Sequence, residues 1–392
     1  MGNFGDFQTG IYANGMFAGQ KPELSTGLTQ LEERAAEVLS ADALGYILPS
    51  AGSGATARAN REAFDRWRIV PRMLRGAAER DLTTTVLGTT LPAPVALAPI
   101  GVQTLVHEEG ELATARAAAA VGLPYVHSCA ASHSPEQAAE AAAAAGDGPR
   151  WFQLYWPTDP DVCASFLSRA RAAGYTALLV TLDTTTLGWR PADLDRGFLP
   201  FLRGEGIATF LTDPAFRAKL DRPPEEDLGA AVMRWASIFP NPGLSWDDLT
   251  FVRERWDGPI ALKGILSPDD ARLAADHGMD GVVVSNHGGR QVDGAVAALD
   301  ALGPVAEAVG DRLDVLFDSG IRTGADAVKA LALGAKAVLV GRPYLYGLAL
   351  RGREGAEHVL RCLLAELDLT LHHSGYRSPS QLTPASLVRA PA

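Results

Sequence analysis

Residues 314–343 read DVLFDSGIRTGADAVKALALGAKAVLVGRP, and this stretch decides the fold. Asp314–Asp318 is apolar between its ends and reads as a buried strand. Thr323 followed by Asp326 is a helix start, because the hydroxyl can accept from a first-turn backbone N–H while the carboxylate reaches back. Gly334 stops that helix. Ala337–Val340 is a second apolar run, ending in Gly341-Arg342. Near-continuous apolarity fits strands buried on both faces of a parallel sheet.

Outward from this unit the pattern repeats. Six more runs of the same character are Pro94–Ala98, Pro124–His127, Trp151–Tyr155, Leu178–Leu182, Pro259–Lys263 and Gly281–Ser285. Helix starts recur at Ser134-Pro135 with Gln137 and at Ser267-Pro268 with Asp270, the latter helix stopping at Gly278. Eight strand–helix alternations predict a closed (β/α)8 TIM barrel rather than a doubly wound sheet. The whole chain, 1–392, reads as a single domain. Residues 1–90 form an N-terminal extension with a helical stretch from about Gln30 to Tyr46, 91–350 the barrel, and 351–392 C-terminal helices and tail.

The connection after strand four, from Thr184 to Gly258, is far longer than a simple crossover. Ser245–Arg255 reads as its regular barrel helix, which leaves 204–243 as an insertion. An insertion after a strand stands over the strand-end face, so a lid is the expectation and a solvated surface loop the alternative.

The formal net charge of −11 argues against nucleic acid or an anionic membrane as partner. Cys129, Cys163 and Cys362 lack metal-ligand spacing, and the N-terminus does not read as a signal peptide. Both point to a reducing, cytoplasmic setting. No apolar stretch is long enough to predict a transmembrane helix.

Barrel chemistry sits at the C-terminal ends of the strands. Those ends carry Ala98-Pro99-Ile100-Gly101, Ser128, Gln153 and Tyr155, Thr181 and Asp183, Lys263-Gly264, Ser285-Asn286-His287-Gly288-Gly289-Arg290, Asp318-Ser319-Gly320-Ile321-Arg322 and Gly341-Arg342. Glycines 320 and 341 with Arg322 and Arg342 suit a phosphate; pairing of those arginines with acids such as Asp318 is the structural alternative. Lys263, after an apolar run, is either a Schiff-base lysine or a fixed cation beside a developing anion. His287 is suited to take a proton near neutral pH, and Arg290 to fork a carboxylate. A base and a carboxylate clamp are what oxidation of a 2-hydroxy acid requires.

These motifs, together with Gln153-Leu154-Tyr155, Thr181-Leu182-Asp183-Thr184, Leu262-Lys263-Gly264 and Gly341-Arg342-Pro343, resemble the FMN-dependent 2-hydroxy-acid oxidising enzymes over about 45–383. Within that family the chain is most similar to lactate monooxygenase, through Gly188-Trp189-Arg190-Pro191, Phe201-Leu202-Arg203-Gly204, Phe4-Gly5-Asp6-Phe7 and Ile11-Tyr12. The resemblance implies FMN as cofactor, with His287 as base and Asp183 orienting it. It implies that Arg290, Arg190 and Tyr46 bind the substrate carboxylate and that Tyr155 bonds near the hydroxyl. Lys263 would stabilise the reduced ring, which disfavours the Schiff base. Ala98, Ile100, Ser128, Gln153 and Thr181 would contact the isoalloxazine, and Pro99, Gly101 and Ser285 would also bind the cofactor. Arg322, Gly341 and Arg342 would hold the phosphate, with Asp318 and Gly320 shaping that end.

Glycine at 101 resembles the monooxygenase pattern, in which retained pyruvate and peroxide give acetate, CO2 and water. Two departures stand out: Leu48-Pro49-Ser50-Ala51-Gly52 after Tyr46, and a small Ala130 where relatives often carry a larger residue, which would widen the pocket. The expected function is oxidation of a lactate-like L-2-hydroxy acid with O2, most similar to lactate 2-monooxygenase, in a homotetramer or homo-octamer. The rivals are an oxidase releasing keto acid and hydrogen peroxide, a quinone-linked dehydrogenase, a phosphosugar isomerase and a non-catalytic barrel.

Overall fold

The computed structural model describes residues 3–391. Eight parallel strands close into a barrel in chain order: β1 Val95–Leu97, β2 Tyr125–Ser128, β3 Arg150–Leu154, β4 Ala177–Thr181, β5 Ile260–Ile265, β6 Gly281–Val284, β7 Asp314–Phe317 and β8 Ala337–Val340. Each falls on a run predicted from sequence. The register shifts once, between β5 and β6 at Lys263/Ile265, where Gly264 has φ 104°. A Cβ at 264 would lie 2.8 Å from that of Asp183, so only glycine lets the two chains meet there.

The helix starts hold as read. Ser134 with Gln137 and Thr323 with Asp326 form reciprocal capping boxes, and Ser267 accepts from the amides of Asp269 and Asp270. These local bonds satisfy N–H groups that a first turn leaves without helical partners.

The barrel interior is filled by inward residues of alternate strand positions, including Ala96, Val126, Trp151, Leu179, Val283, Leu316 and Leu339, all buried. Its floor is sealed by a two-stranded hairpin, Thr84–Val86 with Thr89–Leu91, whose Val86 and Leu87 join the same interior cluster. The extension is therefore partly strand. Its predicted helix is two helices, Leu28–Val38 and Ala41–Ile47, broken where Ser40 caps the second by accepting from Ala43 N–H. That break turns the chain so that Tyr46 reaches the strand-end rim.

The insertion folds into helices Ala208–Leu211, Pro214–Arg217 and Leu228–Ile238. Phe210 and Phe216 are fully buried. Ion pairs tie it to the helix Pro160–Ala172: Arg169 bonds Asp213 at 3.1 Å, and Lys219 bonds Asp159 at 2.8 Å. Asp159 also caps that helix and pairs with Arg234. Asp159→Ala should cost about 1–2 kcal/mol from the lost cap alone, read as a lower urea midpoint; an unchanged midpoint would refute the tie. Among the described residues, no helix is long and apolar enough to cross a membrane.

Candidate active site

Where the apolar interior reaches the C-terminal rim, the inward positions turn polar. Ser128 Oγ donates to Gln153 Oε1 at 2.7 Å, and Gln153 Nε2 donates to Thr181 Oγ1 at 2.9 Å. Lys263 Nζ continues the ring, 3.0 Å from Ser285 Oγ and 2.9 Å from Asp318 Oδ2. All six side chains are buried. Burial opposes the lysine charge, but the carboxylates of Asp318 and Asp183 more than offset it and hold its pKa above the ordinary value. Lys263 paired with Asp318 at 2.9 Å fits the fixed-cation reading rather than the Schiff base, which needs a free amine.

Above this ring lies a cleft. Its wall contains Ala98, Pro99, Ile100, Gly101, Tyr46, Tyr155, Arg190, Lys263, His287, Arg290, Asp318, Gly320, Arg322, Gly341 and Arg342. Of the residues singled out in the sequence, Ser128, Gln153, Thr181 and Ser285 sit in the ring beneath, and Asp183 behind His287.

His287 has φ 58°, a left-handed turn that pushes its ring into the cleft. Its Nδ1 lies 2.9 Å from Asp183 Oδ1 and 3.3 Å from Thr184 Oγ1, while Nε2 faces Tyr155 Oη at 3.4 Å. The turn is pinned from below: Asn286 and Asn60 exchange amide hydrogen bonds at 2.8 Å, and Ser319 Oγ accepts from the amides of Asn286 and Gly288. Burial lowers the His287 pKa, and the Asp183 carboxylate works against that shift. Burial alone would raise Asp183, but His287 and Lys263 bring it below the usual carboxylate value. The imidazole is thus neutral near pH 7 and free to accept a proton at Nε2. The rising limb of the kcat/KM profile should lie below the ordinary histidine value of 6.5. Asp183→Asn, which removes the group holding the pKa up, should move that limb lower still; a limb above 6.5 in the native protein contradicts this electrostatic picture.

Arg290 donates to the carbonyls of Pro49 and Tyr46, each at 2.7 Å, with its guanidinium 5.4 Å from the Tyr46 ring centre. The Pro49 carbonyl of the unusual run after Tyr46 thus helps to seat the arginine, with those of Tyr46 and Ile47. Arg190 donates to the Arg290 carbonyl at 3.1 Å and to Gln291 Oε1 at 2.8 Å. Burial, then the repulsion of Arg190 and Arg342, lowers Arg290 to about 9, which leaves it charged at neutral pH. Three crowded cations, Arg190, Arg290 and Arg342, with Asp193 partly opposing them, favour anions in the cleft.

At the far end, among the described residues, the side chain of Arg322 bonds only its neighbouring Ile321 carbonyl, at 3.0 Å, and Arg342 bonds the Ile47 carbonyl at 3.1 Å. A Cβ at Gly341 would stand 3.5 Å from Ile100 Cδ1 and 3.8 Å from Ala98 Cβ, taking up the space between them and the ring. A phosphate at the arginine end and a flat polar heterocycle over the buried ring match this donor set. FMN has both parts, so the residues present fit it.

Sequence reasoning missed the aromatic walls. Phe201 and Phe239 close the cleft, Phe239 edge-on to Tyr155 with ring centres 5.6 Å apart. Thr184, Ser319 and Phe201 lay inside quoted motifs, which was signal enough to find them; Phe239 carried none. His127, the other histidine at a strand end, faces away from the cleft, among Phe152 and Tyr175. Burial drops it to about 4, so it stays neutral.

Fold and cleft together define a flavin-dependent oxidoreductase. Residues 35–389 match the family model for FMN-dependent dehydrogenases. The chain is 47% identical to an FMN-dependent alpha-hydroxy acid dehydrogenase of Penicillium citrinum over 379 residues, 96% of this chain and 94% of that one. It is 42% identical to an L-lactate oxidase of Lysinibacillus sphaericus, covering 92% of each. A solved mandelate oxidase superposes with a TM-score of 0.82 at 36% identity, covering 94% of this chain and 99% of the other. The protein belongs to the FMN-dependent dehydrogenase family and is an FMN enzyme that oxidises 2-hydroxy acids.

Proposed function

We propose that the protein oxidises a small L-2-hydroxy acid of the lactate type and passes the electrons to O2, with the lactate 2-monooxygenase outcome of acetate, CO2 and water. The observation that carries the reading is the His287 imidazole, held by Asp183 at 2.9 Å with Nε2 turned into an arginine-lined cleft. FMN, when bound, takes up the two electrons from the substrate carbon and delivers them to oxygen. The chain does the rest. Arg190, Arg290 and Tyr46 seat the carboxylate, Tyr155 orients the hydroxyl, and His287 accepts its proton while Asp183 stabilises the imidazolium. Lys263 sets a positive charge under the ring site, and Arg322 and Arg342 hold the phosphate.

The monooxygenase outcome requires the keto acid to stay while peroxide forms. Gly101 supports it: an added Cβ would lie 2.1 Å from the Ala130 carbonyl, so the two walls touch with no side chain between them. Phe201 and Phe239 line the same cleft, Phe201 close to the Ala130 carbonyl. A second reading, an oxidase acting on a larger or aromatic acid and releasing keto acid and hydrogen peroxide, is favoured by the small Ala130 in the same aromatic-walled cleft. Anaerobic reduction with lactate or mandelate, followed by oxygen, decides between them: acetate and CO2 support the first, pyruvate and peroxide the second.

The free cysteines fit a cytoplasmic setting. Exposed Tyr12, Met16 and Phe17 on the helix Asp6–Ala18 support assembly as a homotetramer or homo-octamer, which light scattering would test.

A further inference from the structure

The loops that carry Gly101 and Ala130 are both bonded to one residue outside the cleft. Glu111 opens the helix Gly110–Ala120, and its carboxylate is wholly buried. Oε1 accepts from two backbone amides on different loops, Gln103 N at 2.9 Å and Ser132 N at 3.0 Å. Oε2 lies 3.0 Å from His133 Nδ1. The first loop follows β1 and carries Gly101; the second follows β2 and carries Ala130.

The surrounding bonds make one clamp of these pieces. Gln103 Nε2 donates to the Ile100 carbonyl at 2.9 Å, and Thr114 Oγ1 holds Gln103 Oε1 at 2.6 Å. Thr104 Oγ1 donates to Ser132 Oγ at 2.7 Å, and Val102 N donates to the Ala130 carbonyl at 3.1 Å. Val102 itself sits at φ 54°, a left-handed conformation that a β-branched residue adopts only when its surroundings impose it. A buried carboxylate bonded to two amides of separate loops ties them together, because charge-assisted bonds are the strong ones and neither amide has another partner among the described residues.

We propose that Glu111 is a positioning residue for substrate selection. By clamping the 100–105 and 130–133 loops it keeps the Gly101–Ala130 wall closed, and so sets the size of the 2-hydroxy acid the cleft admits. This rests on the 2-hydroxy-acid reading above and extends it to a residue that touches neither substrate nor flavin. Glu111→Ala leaves both amides without an acceptor, so the wall opens toward Ala130. Glu111→Gln keeps an oxygen for both amides and should rescue.

The test follows anaerobic loss of flavin absorbance in the holoenzyme with lactate and with mandelate. In Glu111→Ala the mandelate-to-lactate ratio of second-order reduction rates should rise about tenfold, the scale of a pocket change of one or two carbons. In Glu111→Gln it should stay within about twofold of the native ratio. Where Glu111→Ala gives no soluble yellow protein, Thr104→Val carries the test, with a shift in the same direction of about threefold. An unchanged ratio in a folded Glu111→Ala or Thr104→Val protein, with the native enzyme active, overturns the clamp and leaves the functional reading intact. Failure of both acids to bleach the native enzyme overturns that reading, and the clamp with it.

Discussion

His287→Gln is expected to lower turnover by about 10²–10⁴-fold, the usual worth of a positioned general base, while the protein stays folded and yellow. Glutamine is close to histidine in reach and can still bond Asp183, but it cannot take a proton at neutral pH. The left-handed backbone at 287 is imposed by the Asn60–Asn286 pair and by Ser319, which the substitution leaves alone. Flavin content should therefore match the native protein, since His287 is not among the buried ring side chains. Oxygen uptake and FMN stoichiometry measured on the same preparation make the check. Native turnover in the variant would remove His287 from the chemistry.

Lys263→Met should produce the largest loss of stability, about 3–5 kcal/mol, because it strands Asp318 as a buried carboxylate without its cation. Asp318 is 9% exposed and Lys263 5%, and their 2.9 Å contact is the charge balance of the cleft floor. Adding Asp318→Asn should restore most of that loss by removing the stranded charge. Urea midpoints at fixed FMN concentration would show both effects. The double variant also separates structure from chemistry: if Lys263 stabilises charge at the flavin site, reduction stays slow in a protein that is stable again. A double variant with native reduction rates would leave Lys263 a purely structural role.

Much of this was readable before any coordinates. All eight barrel strands lie on predicted runs, and the Ser134, Ser267 and Thr323 caps form as read. These features depend on residues within a few positions of one another, which is the range over which sequence pattern speaks. The failures were of two kinds. The predicted helix from Gln30 to Tyr46 missed the break at Ser40, where a cap begins a second helix inside an apolar pattern. The 84–91 hairpin escaped notice because its strands have three residues each, too short to show alternation.

The candidate site divides along the same line. His287, Arg290, Lys263 and the two glycine–arginine ends stood out because each lies at a strand terminus. By itself the sequence determined the barrel, the rim on which the chemistry sits, and the residue types offered there. Only the tertiary structure decided that Arg190 lies against Arg290, that Phe239 of the insertion meets Tyr155, and that the Ala130 carbonyl excludes any side chain at 101. The reason is geometric. Alternation and capping are written in neighbouring residues, but the distances across a cleft follow from barrel closure and register, which join residues far apart in the chain.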